Sequence, residues 1–200
     1  MKADPEDENS RRSLADALIR LNRLDEAEKV LEPLSPNDPA TRLVRARLLE
    51  ARGDVDGVDK LLATLPADQP EAARMRGQRA LQRRDGATAL REFKAALAVD
   101  PRDRAILFGL GMALVMTGKP EEARPYQEQV TKFDRLGDLI SKVDADGSAD
   151  DPTLARRLGI ACAELGRLGE ARAWLRLAIA RNPLDEEAQR ALFRLGTPVK

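Results

Sequence analysis

The stretch Gly166-Arg167-Leu168-Gly169-Glu170-Ala171 returns earlier in the chain as Gly118-Lys119-Pro120-Glu121-Glu122-Ala123, and its second half returns as Leu24-Asp25-Glu26-Ala27. Two looser copies are Gly53-Asp54-Val55-Asp56-Gly57-Val58 and Asp85-Gly86-Ala87-Thr88-Ala89. The copies end at Ala27, Val58, Ala89, Ala123 and Ala171, at spacings of 31, 31, 34 and 48 residues. Prolines keep a similar beat at Pro5, Pro39, Pro70, Pro101 and Pro183, with Arg135 where the fourth unit would place its own. A period in this range means a repeated supersecondary unit, and here it predicts five of them.

Within each unit the apolar residues fall at helical spacing, as in Leu14, Leu18 and Leu21 or in Ala171, Leu175 and Ala178. Gly53, Gly118 and Gly166 stand where a first helix should stop, and Asp-Pro or Asn-Pro at 38, 100 and 182 marks the passage from a second helix to the next unit. Each unit therefore reads as an antiparallel helix pair. Small residues at Ala15, Ala46, Gly77, Gly111 and Gly159 allow its two helices to approach closely. A lone pair leaves an apolar flank exposed, so stability must come from stacking on its neighbours.

These features resemble the tetratricopeptide repeat family, most clearly in Gly77, Ala89, Phe93, Ala96 and Pro101 of the third unit and in Gly159, Gly166, Ala171, Trp174, Ala178 and Pro183 of the fifth. The resemblance implies an all-α, right-handed α-solenoid over residues 1–200. Its repeats run at about 8–38, 39–69, 70–103, 104–134 and 151–184, with a helical insert at 135–150 and a capping helix at 185–196. The first two units depart from the family pattern. They are three residues short and carry Leu34 and Leu65, beside Pro33 and Pro66, where a small residue is usual, so their second helices should be about a turn shorter.

The spacing of 48 exceeds the repeat by 14, and the extra residues begin near Phe133. Phe133, Leu136, Leu139, Ile140 and Val143 form an apolar face at helical spacing, so the second helix of the fourth unit is lengthened or followed by a short helix. The preferred expectation is a spacer covering the flank between units; a lid or docking element is the alternative. The acidic turn from Asp144 to Asp151 has alternating carboxylates, but Ala149 and Ala155 stand where a helix-loop-helix calcium site needs glycine and a bidentate carboxylate.

Composition excludes several classes of chemistry. Thirty-four basic residues balance 34 acidic ones, so no net field gathers nucleic acid or an anionic membrane. Six aromatic residues, two of them assigned to helix packing, are a poor base-stacking platform. The absence of histidine removes the usual general base and the commonest zinc ligand. Cys162 is the only cysteine, with no activating base, at a position the family buries. No catalytic, cofactor or metal site is expected, so the chain reads as a non-enzymatic protein. The acidic residues that follow Met1-Lys2 leave no apolar run for a secretory signal and point to the cytoplasm. Ala3-Asp4-Pro5 has the look of a link between repeats, so the chain also reads as an excerpt of a larger protein whose missing segment could change that compartment. Its richness in arginine and alanine suggests a bacterial source.

The resemblance further implies a concave groove, lined by first helices, that holds a peptide or protein segment. By position its residues include Leu43, Arg47, Arg74, Met75, Phe108, Met112, Met116 and Arg156. Thioethers adapt to varied partner surfaces and arginines can pair with carboxylates, which suits a partner with apolar anchors and acidic residues. The competing expectations place Phe108, Met112 and Met116 in the core between repeats and the arginines on a solvated face. Some family members grip chaperone C-terminal carboxylates, but the matching positions here are Arg12, Asp16, Val44, Glu71 and Met75, and two carboxylates would repel such a tail. The alternative to a binding scaffold is a structural spacer or self-assembly module.

Overall fold

The computed structural model describes residues 5–146 and 151–196, and among these there are eleven α-helices and no strand. They are α1 (Pro5–Arg20), α2 (Leu24–Leu31), α3 (Pro39–Ala51), α4 (Val55–Ala63), α5 (Pro70–Gln82), α6 (Gly86–Val99), α7 (Arg104–Met116), α8 (Pro120–Asp146), α9 (Pro152–Glu164), α10 (Leu168–Arg181) and α11 (Glu186–Gly196). The chain divides into two compact units at Pro120/Glu121. In the first, α1 packs on α2, α3 on α4 and α5 on α6, with α1 against α3 and α5 against α7. In the second, α9 packs on α10 and α10 on α11.

The turns after α1, α3, α5, α7 and α9 share one construction. A residue in the left-handed region closes the first helix: Asn22, Gly53, Arg84, Gly118 and Gly166, with φ from +57° to +76°. The amide of the next residue then reaches back five positions. Arg23 N–H bonds to Leu18 O, Asp54 to Leu49, Asp85 to Ala80, Lys119 to Leu114 and Arg167 to Cys162, each at 2.9 Å. This double-back closure satisfies carbonyls that the helix end would otherwise orphan. The buried small residue of the second helix follows five positions later, at Ala27, Val58, Ala89, Ala123 and Ala171.

The prolines do not share one role. Pro39, Pro70 and Pro152 occupy the first turn of α3, α5 and α9, where a missing N–H costs nothing, whereas Pro101 and Pro183 sit two residues ahead of the caps Asp103 and Asp185. The beat belongs instead to the residues capping the first helices and α11, namely Asp38, Gln69, Asp103, Asp151 and Asp185. Four of these aspartates accept a backbone N–H from the turn they open: Asp38 from Thr41, Asp103 from Ile106, Asp151 from Thr153 and Asp185 from Ala188.

The second helices of the first two pairs are short, with 8 residues in α2 and 9 in α4 against 14 in α6. Pro33 and Pro66 follow them and block further helix. Arginines of the following helix add a second donor to carbonyls at those ends: Arg45 donates to Leu31 O at 3.0 Å and Arg76 to Leu62 O at 3.2 Å, beside the amides of Leu34 and Leu65.

The glycines of the first helices leave room for large side chains, not for other small ones. A Cβ on Gly77 would lie 2.9 Å from the Phe93 ring, one on Gly109 would lie 2.1 Å from it, and one on Gly159 would lie 2.6 Å from Leu175. Phe93 is 2% exposed between Gly77 of its own pair and Gly109 of the next, so it keys α6 to both α5 and α7. The insert is a continuation of α8, a single helix of 27 residues. Leu136 and Leu139 are buried with Leu154, Leu158 and Cys162, and Phe133 and Val143 pack against them. That apolar face is consumed by the core of the second unit, although Ile140 remains 45% exposed. The backbone of 144–146 still belongs to α8, and the rest of the acidic turn, 147–150, lies outside the described residues, as do Ala3 and Asp4. In α11, Leu192 and Leu195 pack on the core while Phe193 is 76% exposed and not part of the buried face.

Among the described residues Arg84 is the one long side chain held in the left-handed region, a conformation that costs about 1–2 kcal/mol for a residue bearing a Cβ. Arg84→Gly is therefore expected to stabilise the fold by about 1 kcal/mol and to raise the melting temperature by about 2–4 °C. An unchanged or lowered melting temperature would show that the turn carries no such strain.

Candidate functional site

The outward faces of the first helices carry two kinds of surface. On α1, α3 and α5 it is a chain of charges. Arg47 of α3 donates to Asp16 of α1 at 2.7 Å and to Glu71 of α5 at 2.9 Å, and Arg74 holds Glu71 from within α5. Burial pushes the Glu71 carboxyl up, but the hydrogen bonds and charges of Arg74 and Arg47 outweigh it and keep it below the usual carboxylate range. Burial likewise opposes the charge on Arg47, and Asp16 and Glu71 reverse the effect, so its pKa is raised. Arg74 is raised chiefly by its bond to Glu71, against burial, with further support from Asp103 and Glu50.

A related device recurs at the joints. Arg12 of α1 donates to Asp38, the cap of α3, at 2.8 Å, and Arg156 of α9 donates to Asp185, the cap of α11, at 3.0 Å. Arg156 also meets Glu187 at 3.3 Å. Burial pushes the Asp185 carboxyl up, but hydrogen bonds from the Ala188 amide and Arg156 hold it below its ordinary range. These arginines connect one helix to the cap of a later one, so each carries a structural duty.

On α7 the surface is apolar. Its sequence, RAILFGLGMALVM, is hydrophobic on every side, the pattern of a helix buried all round. Ile106, Leu107, Leu110, Ala113 and Leu114 are indeed in the core. Phe108, Met112, Val115 and Met116, at positions i, i+4, i+7 and i+8, form one stripe and are 51%, 44%, 46% and 40% exposed.

The structure thus separates the eight residues expected to meet a partner. Phe108, Met112 and Met116 lie together on the α7 stripe, and Val115 joins them. Met75 does not belong there: it is 1% exposed, packed with Ala46, Val58, Leu62 and Leu65, and serves as a key between α5 and the preceding pair. Leu43 is half-buried against the same cluster. Arg47, Arg74 and Arg156 are partly exposed, with side-chain exposures of 30%, 22% and 24%, and each is bonded to carboxylates of this chain. The partners of Arg47 and Arg156 went unrecognised in the sequence because they stand 24 to 31 residues away in other helices or their caps; the recurrence of an arginine near the middle of the first helix was the available signal. Cys162 is 1% exposed, and burial followed by the nearby Glu170 carboxylate pushes its thiol up, away from the reactive thiolate. Among the described residues no group of three or more potential ligands could hold a metal ion, and no helix is long and apolar enough to cross a membrane.

The Glu71 bridge has a measurable consequence. A carboxylate held below its unfolded pKa of about 4.3 adds stability above that pH and loses it as pH falls through the lower folded value. Glu71→Gln is expected to lower stability at pH 7 by about 2 kcal/mol, between the ~0.2–1 of an exposed pair and the ~3–5 of a broken buried one. The gap between the two proteins should close when urea unfolding is repeated below pH 4; parallel curves down to pH 3 would remove the bridge from the stability of the first unit.

Known proteins give the same architecture. Tetratricopeptide repeat family models match residues 74–136 and 142–186, residues 1–44 and residues 39–58. Among solved structures, a thermophilic tetratricopeptide repeat protein of Thermus thermophilus, TTC0263, is similar at 21% identity and a TM-score of 0.51 over 94% of this chain and 98% of its own. PilF of Pseudomonas aeruginosa is similar at 12% identity and 0.54 over 95% and 83%. PilW, described as a type IV pilus biogenesis factor, is similar at 18% identity and 0.53 over 96% and 91%. A sequence comparison with curated proteins gave no match. With one model alone matching more than half of its residues, the chain belongs to the tetratricopeptide repeat family.

Proposed function

We propose that this protein is a non-catalytic scaffold that recognises a peptide or protein segment on the first-helix face, with the α7 stripe as the anchor. The observation that carries this reading is the exposure of Phe108, Met112, Val115 and Met116 on one side of a helix whose composition suits complete burial. A partner supplying apolar side chains would cover that stripe. The charge chain over α1, α3 and α5 supplies orientation: with Arg47 and Arg74 already bonded, an acidic partner residue competes with Asp16 and Glu71, so the charges discriminate among partners more than they attract them. Preassembled helix pairs lose little entropy on binding, leaving the ordering cost to the partner. Zero net charge supports protein over nucleic acid as the partner class.

A second reading, self-assembly or a spacer role, is favoured by one specific observation. Leu14 and Leu21 on and just after α1 are 51% and 66% exposed, a flank of the kind that another helix pair covers in a stacked array.

Met112→Asp places a charge on the stripe at a position already in water, so the fold should survive while binding is lost. Proteins captured from a lysate of the source organism by the wild-type chain and not by this variant would support recognition at α7. Identical captures would refute it. For the second reading, light scattering should show a mass that rises with concentration in the wild type and not in Leu14→Ser/Leu21→Ser; a constant monomer mass removes self-assembly.

A further inference from the structure

The opposite, second-helix side of the first unit carries two clefts related by one repeat. The first, about 290 Å³, opens over α3 between α2 and α4; the second, about 210 Å³, opens over α5 between α4 and α6. Every residue lining the first has its counterpart 31 positions later in the second. The frame is kept: Leu31 and Leu62 form the floor, Arg45 and Arg76 bond to the carbonyls of those two residues, and Arg52 and Arg83 pair with an acid of the neighbouring second helix, Glu28 or Asp59. The contents differ. Leu48, Leu49 and Leu61 make the first cleft largely apolar, and Arg79, Ala80 and Glu92 replace them in the second.

The second cleft holds four arginines against three carboxylates, and one of those, Asp85, is engaged in capping α6 through the Thr88 amide. Arg83 and Arg91 stand at its rim, 56% and 71% exposed. Arg83 meets Asp59 through one terminal nitrogen, and Arg91 meets Glu92 through Nε and Nη2. A guanidinium has five donors in a planar fork, so both can take a further carboxylate without releasing the first. The first cleft has the size for one large side chain, with half-buried Leu49 and Leu61 and buried Leu31 and Leu48 to receive it.

We propose that the paired clefts form a second docking surface, for an acidic segment of a partner protein that seats one large apolar side chain in the first cleft and places carboxylates on Arg83 and Arg91. Only α4 separates the clefts. Packed helices lie about 8–10 Å apart, which an extended chain spans in about three residues. The segment is thus expected to carry a large apolar residue with Asp or Glu about three positions away. This surface does not depend on the α7 stripe.

The probe is a random 12-residue peptide library displayed on phage and selected against the full chain. Enriched peptides should show that spacing, and their fluorescence-polarisation affinity should fall at least tenfold in Arg83→Glu/Arg91→Glu and in Leu49→Glu, with Leu49→Trp, which fills the cleft, as a second variant should the charge unfold the chain. Met112→Asp should leave the affinity unchanged. Peptides weakened by Met112→Asp and not by the arginine pair would assign recognition to α7 alone. Peptides indifferent to every variant, or no enrichment, would overturn the docking surface.

Discussion

Each helix pair turns on one residue in the left-handed region, and the rest of the architecture depends on that turn. The residue ends the first helix, its successor's amide reaches five positions back, and five positions onward a small side chain enters the core. Within each unit the turn fixes the register of the two helices it joins, so Phe93 arrives between Gly77 and Gly109, and Leu175 arrives over Gly159. Glycine is the natural residue for this conformation, yet Asn22 and Arg84 adopt it too. The backbone closure is therefore the invariant feature of the five turns, and the side chain at the turn is not.

Stacking one pair on the next is a separate problem, in which arginines join buried apolar keys such as Phe93 and Met75. Arg45 and Arg76 tie their helices to the ends of the truncated helices α2 and α4, Arg12 and Arg156 reach caps of later helices, and Arg47 bridges three first helices through Asp16 and Glu71. The chain has equal numbers of acidic and basic residues, and this is one use of that balance. Planar, multi-donor guanidinium groups suit such joints because one side chain can bond a carboxylate and a carbonyl together. Most of these joint-forming arginines are partly buried and committed within the chain, which separates them from Arg83 and Arg91, 56% and 71% exposed at the rim of the second cleft. On α7 the outward face is instead apolar, with Phe108, Met112, Val115 and Met116 in water.

The period, the helix pairs, the shortened α2 and α4, and the helical insert were all legible in the sequence, because each rests on local chemistry. Gly53, Gly118 and Gly166 announce a turn by their conformational freedom, Pro33 and Pro66 announce a stop by the missing N–H, and helical spacing in the 133–143 segment announces an amphipathic helix. The burial of Phe93 and Cys162 also followed from position within the repeat. Less legible was the division of a uniformly apolar helix such as α7 into a buried and an exposed side, since periodicity vanishes when nearly every residue is hydrophobic. Met75 and Met112 illustrate the difficulty: both stand on first helices as thioethers, and one is in the core while the other faces water.

The sequence by itself determined where helices begin and end and that they recur in a repeat, since those depend on propensities, caps and apolar spacing within a few residues. Tertiary structure decided which arginines are spent on internal carboxylates, that Gly109 shares the Phe93 ring with Gly77, and that the 31-residue repeat yields two clefts of unlike chemistry. The physical reason is distance along the chain. Arg12 meets Asp38 across 26 residues and Arg47 meets Asp16 across 31, so these contacts exist only after the pairs have docked. No local pattern distinguishes an arginine that will find an internal carboxylate from one that will remain in water.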